Sequence, residues 1–187
     1  MLLTRLMKKT ITSLKGTYAA GIAAGIKTNG KRDLAYIFVP NAYGSACVFT
    51  QSAFIAPPLI VTKQALARGT VKALIVNSGN ANAATGKSGL KNARETAAIA
   101  AKLLGLKAHE VAVSSTGIIG RPLPMDTLRA GLHTLLSNPL QRDGDAAAKA
   151  ILTTDLTQKE VFASGLVAGK RITIAGFAKG SGMIAPN

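Results

Sequence analysis

The chain has 187 residues, of which 48% are hydrophobic, and this is enough for one domain with a real core and excludes a disordered tail. Only 4% of the residues are aromatic and none is Trp, which argues against a surface on which nucleic-acid bases stack. The formal net charge of +15 favours either a polyanionic partner or an acidic second subunit that balances the charge.

The N-terminus is basic, and residues 1–16 are expected to be flexible within a single domain over residues 1–187. Its first nine residues lack the apolar run of about 7–15 residues that a secretory signal needs, and no run approaches the roughly 20 apolar residues of a membrane span. A mitochondrial leader is an alternative because the segment has no acidic residue. The single cysteine, Cys47, fits a reducing compartment and is expected to be a small core residue. We therefore expect a cytoplasmic protein.

The first half of the chain predicts two hairpin strands, a third strand, a helix and a buried strand, at residues 21–27, 34–39, 46–50, 60–67 and 71–77. Asn29-Gly30 lies between the first two strands and is the strongest short signal for a hairpin turn, because both residues accept positive φ. Pro57-Pro58 interrupts the chain before the helix. The last strand is apolar at successive positions, as in a strand buried on both faces.

The second half predicts a helix, a strand, two helices and two further strands, at residues 90–104, 111–114, 125–136, 145–152, 159–167 and 170–175. Gly105 is placed to end the first of these helices as a C-cap, and Asp143 is placed to cap the last one. The final two strands form a hairpin around Ala168-Gly169. Hairpins at both ends predict an α+β fold, a mixed α/β sandwich of largely antiparallel sheets with helices packed over them.

Gly86-Lys87-Ser88 follows a predicted strand and precedes a predicted helix, which is the context of a phosphate-binding loop. Such a loop needs a glycine five positions before Gly86, but position 81 is alanine and Gly79 comes two residues too early. The spacing excludes a nucleotide P-loop. Ser88 is expected to cap the helix, although an anion could still bind the free N–H groups there. His109 and His133 have no partner at metal-ligand spacing, so no metal site is expected.

Polar motifs follow several predicted elements. Residues 77–82 place three asparagines at the end of a buried strand, where we interpret them as scaffolding before substrate contacts. In Thr116-Gly117, a hydroxyl and the next backbone N–H can point at one oxyanion, as acyl transfer requires. The residues alone favour a simple strand-to-turn transition there. Thr153-Thr154-Asp155 closes a predicted helix, where such side chains commonly bond to the backbone.

Residues 179–187 read Lys-Gly-Ser-Gly-Met-Ile-Ala-Pro-Asn and are expected to be an active-site loop. Glycines let backbone N–H groups approach a ligand closely, and Lys179 can pair with a carboxylate or a phosphate. The alternative for Lys179 is a solvated surface lysine. Because a free terminus frays unless something holds it, we expect either a truncated chain or one half of a precursor cut just beyond this point.

Five motifs in this chain resemble, in the same order, those of the ornithine acetyltransferases, the bifunctional glutamate N-acetyltransferases of arginine biosynthesis. They lie at residues 20–27, 76–83, 115–125, 153–160 and 179–187, so the similarity spans about residues 17–187. The resemblance implies the alpha chain of a self-cleaved precursor. In that family the chain continues Met-Ala-Thr, cuts itself before the threonine, and uses this threonine as nucleophile. The sequence of 187 residues contains neither that continuation nor that nucleophile.

The resemblance also implies site residues and a reaction. Thr116 and Gly117 would form the oxyanion hole, while Lys179 and Thr153 would bind substrate, with Thr154 as the fallback. An acetyl group would pass from N-acetylornithine to glutamate in a ping-pong cycle through an acetyl-threonine. The implied partner is the beta chain, which completes the sandwich in an α2β2 heterotetramer. No cofactor is implied, although some members of the family also accept acetyl-CoA.

Two other functions stay open at this point. A basic module for binding nucleic acid would explain the charge directly, but the basic residues are scattered and form no concentrated stripe. A self-cleaving aminopeptidase or amidase would share the nucleophile chemistry but release the acyl group to water. Transfer of the acetyl group to glutamate would distinguish the acetyltransferase from such an amidase.

Overall fold

The protein, described here by a computed structural model over residues 9–180, is built on a four-stranded sheet. The strands lie in the order β1 (Tyr18–Ile22), β2 (Leu34–Phe38), β3 (Ala73–Asn80) and β4 (Val111–Ile118). β1 is antiparallel to β2 and β2 is antiparallel to β3, whereas β4 is parallel to β3. A parallel pair needs a long crossover, which the helix between these two strands supplies.

Helices cover both faces of this sheet. One face packs against α1 (Pro57–Leu66), α2 (Gly86–Leu104) and α3 (Met125–Leu136), and the other against the short α4 (Gly144–Ala150). Ile75 of β3 lies in the first core and Val76 in the second, because successive residues of a strand point to opposite faces. This confirms that β3 is buried on both faces.

A separate hairpin of β5 (Lys159–Val167) and β6 (Lys170–Ala178) extends from the body. On one face of the hairpin, Phe177 packs against the second core and the Lys9 ammonium lies 4.8 Å from the centre of the Phe162 ring. The opposite face is apolar, and its aliphatic side chains are 44% to 64% exposed. These side chains are Val161, Val167, Ile172 and Ile174.

The predicted fold class is confirmed as a mixed α/β structure with largely antiparallel sheets. The helix at Met125–Leu136 and the strand at Lys159–Val167 have the predicted bounds. Gly105 ends α2 in the left-handed conformation with φ 66°. The Asp143 side chain caps α4 by accepting a hydrogen bond from Ala146 N at 2.9 Å.

Two predictions about residues 46–50 are wrong. This segment has no regular secondary structure, and Cys47 within it is exposed instead of buried. Val48 in this segment and Tyr43 just before it are almost wholly exposed. Apolar residues form a stable strand only beside a pairing neighbour, and the described part of the chain provides none here.

Several predicted boundaries also shift. The first strand covers residues 18–22 instead of 21–27, because the chain then curls around the Asp33 carboxylate, which accepts hydrogen bonds from the N–H groups of residues 24, 25 and 27. Ser88 lies inside the first turn of α2 and Thr85 occupies the cap position, so the predicted Ser88 cap is wrong. β4 extends to Ile118, and α4 ends at Ala150, which leaves Thr153 in the following loop.

The N-terminal prediction lies partly outside the described residues, which begin at residue 9. Within them, Ile11–Ser13 forms a 3-10 helix with Thr12 buried, and the Thr12 hydroxyl donates to the Arg142 carbonyl at 3.2 Å. Across residues 9–180, none of the helices is long and apolar enough to cross a membrane.

Candidate active site

The carboxyl ends of the parallel strands β3 and β4 form one wall of the candidate site. Ser78 lies opposite Thr116, and Gly79 lies opposite Gly117. The loop after α4 and the end of β6 reach the same place, so four separated parts of the chain meet there. Loops at strand ends commonly carry binding and catalytic residues.

Lys179 joins three of the four predicted site residues into one cluster. Its Nζ donates hydrogen bonds to Thr116 Oγ1 at 2.9 Å and to Thr153 Oγ1 at 3.0 Å. Lys179 and both threonines are half-buried, whereas Thr154 is exposed. Within residues 9–180, no carboxylate lies at ion-pair distance from the Lys179 ammonium. The cluster therefore holds a positive charge beside two hydroxyl groups.

The direction of these hydrogen bonds leaves two donors for a ligand. An ammonium group only donates, so Thr116 Oγ1 and Thr153 Oγ1 must both accept from Lys179. Each threonine hydroxyl then keeps its own hydrogen. The site can thus offer an anionic ligand a charged ammonium and two O–H groups.

Gly117, the fourth predicted residue, is exposed beside this cluster and must be glycine for steric reasons. Its φ is +135°, and a Cβ there would lie 2.4 Å from the carbonyl carbon of Gly79 and 2.6 Å from the nitrogen of Asn80. No side chain fits against that backbone. Because Gly117 is exposed, a ligand can reach its backbone beside Thr116.

Asp155 supports the cluster, although its motif alone indicates no role for it in the site. Its carboxylate is fully buried and accepts hydrogen bonds from Gly180 N at 2.6 Å and from Lys159 Nζ at 2.8 Å. Thr153 N makes a longer contact of 3.5 Å with its other oxygen. The bonds from Lys159 and Gly180 hold the pKa of the Asp155 carboxyl well below its usual range, so it stays ionised.

Lys27 supports the same loop from the opposite side. Its Nζ donates to the Leu152 carbonyl, next to Thr153, and to the Arg32 carbonyl, each at 2.7 Å. Burial lowers the pKa of Lys27, the Asp33 carboxylate opposes this shift, and the charges of Lys31 and Lys179 add to it. In the sequence, Lys27 belongs to a glycine-rich motif. Nothing in that motif predicts its hydrogen bond to the carbonyl of residue 152.

The three asparagines of residues 77–82 are buried and serve as scaffolding, as interpreted from the sequence. Asn77 donates to the Asn80 carbonyl at 2.8 Å, and its side-chain oxygen accepts from the Ser115 hydroxyl at 2.6 Å. Asn82 donates to the Gly89 carbonyl at 3.0 Å, which fixes the start of α2. These bonds hold the ends of β3 and β4 at a constant position beside Thr116.

The other predicted sites add no ligand-binding group. Among the described residues, no three His, Cys, Asp or Glu side chains come together as metal ligands, and His133 is exposed. Residues 181–187 of the predicted active-site loop lie outside the described residues. Lys179 and Gly180 are thus the described part of that loop.

Comparison with known proteins identifies the family to which the chain is similar. The model of the ArgJ family matches residues 18–187. An arginine biosynthesis bifunctional protein ArgJ from Gloeobacter violaceus is 47% identical over 177 residues, which are 94% of this chain and 44% of that protein. The protein of the same name from Bacillus cereus is 46% identical over 186 residues, 99% of this chain and 45% of its own length. The chain thus spans less than half the length of these curated relatives.

Solved structures share the fold as well. The arginine biosynthesis bifunctional protein argJ from Bacillus halodurans superposes with a TM-score of 0.89 at 43% identity, covering 96% of this chain and 94% of that one. An ornithine acetyltransferase complexed with ornithine, from Mycobacterium tuberculosis, superposes with a TM-score of 0.87 at 42% identity. The match covers 96% of this chain and 95% of that one.

Proposed function

The chain belongs to the ArgJ family, and we propose that it is the alpha-chain part of an ornithine acetyltransferase of arginine biosynthesis. The proposed enzyme moves an acetyl group from N-acetylornithine to glutamate by a ping-pong mechanism. The observation that carries the proposal is the cluster in which the Lys179 ammonium contacts the hydroxyls of Thr116 and Thr153. It joins the residues that the family resemblance assigns to the oxyanion hole and to substrate binding.

Lys179 and Thr153 would bind the substrate. N-acetylornithine and glutamate both carry carboxylates, and a half-buried ammonium without a described counterion is a suitable partner for one. The Thr153 hydroxyl, which accepts from Lys179, would donate a second hydrogen bond to the same ligand. Positive charge over the whole chain would further attract these anions.

Thr116 and Gly117 would stabilise the tetrahedral oxyanion. The Thr116 hydroxyl accepts from Lys179 and is free to donate, and the adjacent N–H of Gly117 would be the second donor. A nearby ammonium makes the hydroxyl a stronger donor by polarising it. Gly117 is exposed, so an acetyl group can reach its backbone.

The nucleophile would come from the remainder of the precursor. The matched relatives are more than twice as long as the part that this chain covers, yet the solved chains coincide with it over 94% and 95% of their length. Such a difference is expected if the relatives are cut into two chains. The proposed nucleophile is the N-terminal threonine of the second chain, whose α-amine titrates near 8 in small peptides and would serve as base.

The chemical steps then follow. The threonine oxygen attacks the acetyl carbonyl while its proton passes to the α-amine, and the C–N bond breaks as that proton is given to the leaving ornithine amine. The glutamate amine next attacks the threonine ester carbonyl and passes a proton to the α-amine. The ester C–O bond then breaks as that proton returns to the threonine oxygen, which releases N-acetylglutamate and restores the threonine. The resemblance leaves open whether acetyl-CoA is a second acetyl donor, because only some members of the family accept it. We propose a cytoplasmic enzyme without a bound cofactor.

The beta chain is proposed to bind the outward face of the β5–β6 hairpin and complete an α2β2 assembly. This face carries Val161, Val167, Ile172 and Ile174 in exposed positions. Exposed apolar faces of this kind mark protein–protein contacts in soluble proteins. β6 leads directly to Lys179, so a chain bound to this hairpin would be close to the site.

Intact mass spectrometry of the full-length protein, expressed with the remainder of the precursor, tests the proposal. We expect a second species that begins with threonine, and a gain of about 42 Da on that species after N-acetylornithine is added. Addition of glutamate should remove the adduct and produce N-acetylglutamate. Release of acetate without glutamate would support an amidase instead, and an uncut protein without the adduct would contradict the proposal.

A further inference from the structure

Asp155 lies at the centre of the contacts that hold the candidate site, although the proposed reaction gives it no chemical step. We infer that Asp155 is a positioning residue, whose carboxylate fixes the backbone at Gly180 and thereby holds Lys179 between Thr116 and Thr153. Its effect on catalysis rests on the proposed function. The bond that it makes to Gly180 is a property of the fold and is testable separately.

The contacts of the carboxylate support this role. Gly180 directly follows Lys179, and its N–H donates to Asp155 Oδ1 at 2.6 Å although the two residues are 25 positions apart. The second oxygen is 3.5 Å from Thr153 N. One side chain therefore contacts the backbone of Thr153 and the backbone next to Lys179, the two residues whose side chains meet in the cluster.

The electrostatics explain why a charged group is used. The Asp155 carboxylate is fully buried, and a buried charge is costly unless it is paired and hydrogen-bonded. Lys159 supplies the pairing charge at 2.8 Å, with its own side chain 47% exposed. A hydrogen bond from an N–H to an ionised carboxylate is roughly twice as strong as one to a neutral acceptor. The ionised group therefore holds the Gly180 backbone more firmly than an amide would.

Asp155 acts on Lys179 through the backbone and not through an ion pair. No described carboxylate, Asp155 included, lies at ion-pair distance from the Lys179 ammonium. The charge of Lys179 thus stays available to a substrate carboxylate. Position matters here because a shift of about 1 Å in a binding group can cost on the order of 100-fold in rate.

The test compares Asp155→Ala and Asp155→Asn in the full-length precursor with the control Asp126→Asn. Asp126 is fully exposed and pairs with Arg129 on the surface of α3, so its substitution should leave processing and transfer unchanged. We expect Asp155→Ala to lower kcat/KM for N-acetylornithine by about 10- to 100-fold, mainly through KM. Asp155→Asn keeps an acceptor for Gly180 N and should lose less.

Amide hydrogen exchange provides the readout that does not depend on activity. The Gly180 amide should be protected in the unmodified protein and in Asp126→Asn, and should exchange at least several-fold faster in Asp155→Ala. Unchanged protection, or unchanged kcat/KM in a folded Asp155→Ala protein, would overturn the inference. If Asp155→Ala fails to fold, the test uses Asp155→Asn, whose neutral acceptor binds Gly180 N more weakly. The Gly180 amide should then exchange faster than in the unmodified protein, by less than in Asp155→Ala, and unchanged exchange would overturn the inference.

These readouts separate the inference from the proposed function. An unmodified full-length protein that neither cuts itself nor transfers acetyl groups would contradict the proposed function, whereas the exchange of the Gly180 amide would still decide the role of Asp155. A loss of activity that only follows the unfolded fraction, measured by thermal unfolding of the same samples, would mean a general structural role and would overturn the inference.

Discussion

At Gly117, two independent constraints require glycine. Its φ of +135° belongs to a region that residues with a side chain rarely adopt, and a Cβ would also collide with backbone atoms of Gly79 and Asn80. Backbone atoms cannot move aside as a flexible side chain can. The close packing of β3 against β4 at this point is therefore what places Thr116 at the surface of the site.

We predict that Gly117→Ala lowers the free energy of unfolding by about 2–5 kcal/mol, because backbone strain and overpacking add. Gly120→Ala is the matched control, since its φ is also positive, at +79°, but a Cβ added there would have no atom within 4 Å. It should cost only about 1–2 kcal/mol. Urea unfolding of both variants measures the difference. Equal losses would show that the contact with Gly79 has no energetic consequence.

The sequence carries only part of the information about the site. Its motifs predict Thr116, Gly117, Thr153 and Lys179, and three of these residues meet in one cluster. They do not predict Asp155 as part of the site, because a lone Asp after a helix commonly makes local bonds, and its bond to Gly180 depends on the path of β6. The functional roles themselves remain predictions.

At the scale of elements, local patterns predict helices and hairpins better than isolated strands. The helix at Met125–Leu136 and the hairpin strand at Lys159–Val167 have strong local signals, namely a helical apolar period and a turn at Ala168-Gly169. The strand expected at 46–50 is absent from the structure because a strand needs a neighbour, which the local sequence cannot provide. The early end of β1 likewise depends on hydrogen bonds to the Asp33 carboxylate, which an apolar pattern does not predict.

The β5–β6 hairpin allows a test of the proposed docking surface. We predict that Ile174→Asp, expressed in the full-length precursor, weakens association of the two chains about 10- to 100-fold, because an apolar contact is lost and a charge is buried. Leu140→Asp is the control, since Leu140 is 54% exposed and lies in the loop between α3 and α4, outside the hairpin. Analytical ultracentrifugation measures the association. Equal behaviour of the two variants would place the partner on another surface.

At the scale of the whole molecule, the acidic residues of the chain do not balance its basic residues, which leaves a net charge of +15. The chain has 23 Lys and Arg residues but only 8 Asp and Glu residues. Some of these acidic side chains bind backbone N–H groups: Asp33 accepts hydrogen bonds from three of them, and Asp143 caps α4. The excess positive charge must therefore be balanced by solvent ions or by a partner, and the proposed beta chain is expected to be acidic.

Salt dependence separates an acidic partner chain from nucleic acid. A protein that contacts 6–10 phosphates loses roughly 10³–10⁵-fold in affinity for DNA between about 50 and 200 mM salt. We predict that the assembled full-length protein shows no such binding to DNA, because the beta chain covers part of the positive charge.

We also predict that its two chains associate more slowly as salt rises, since complementary charge mainly raises the rate of encounter. Tight binding of DNA by the assembled protein, with a steep dependence on salt, would favour the nucleic-acid function and leave the cluster around Lys179 without its proposed substrate.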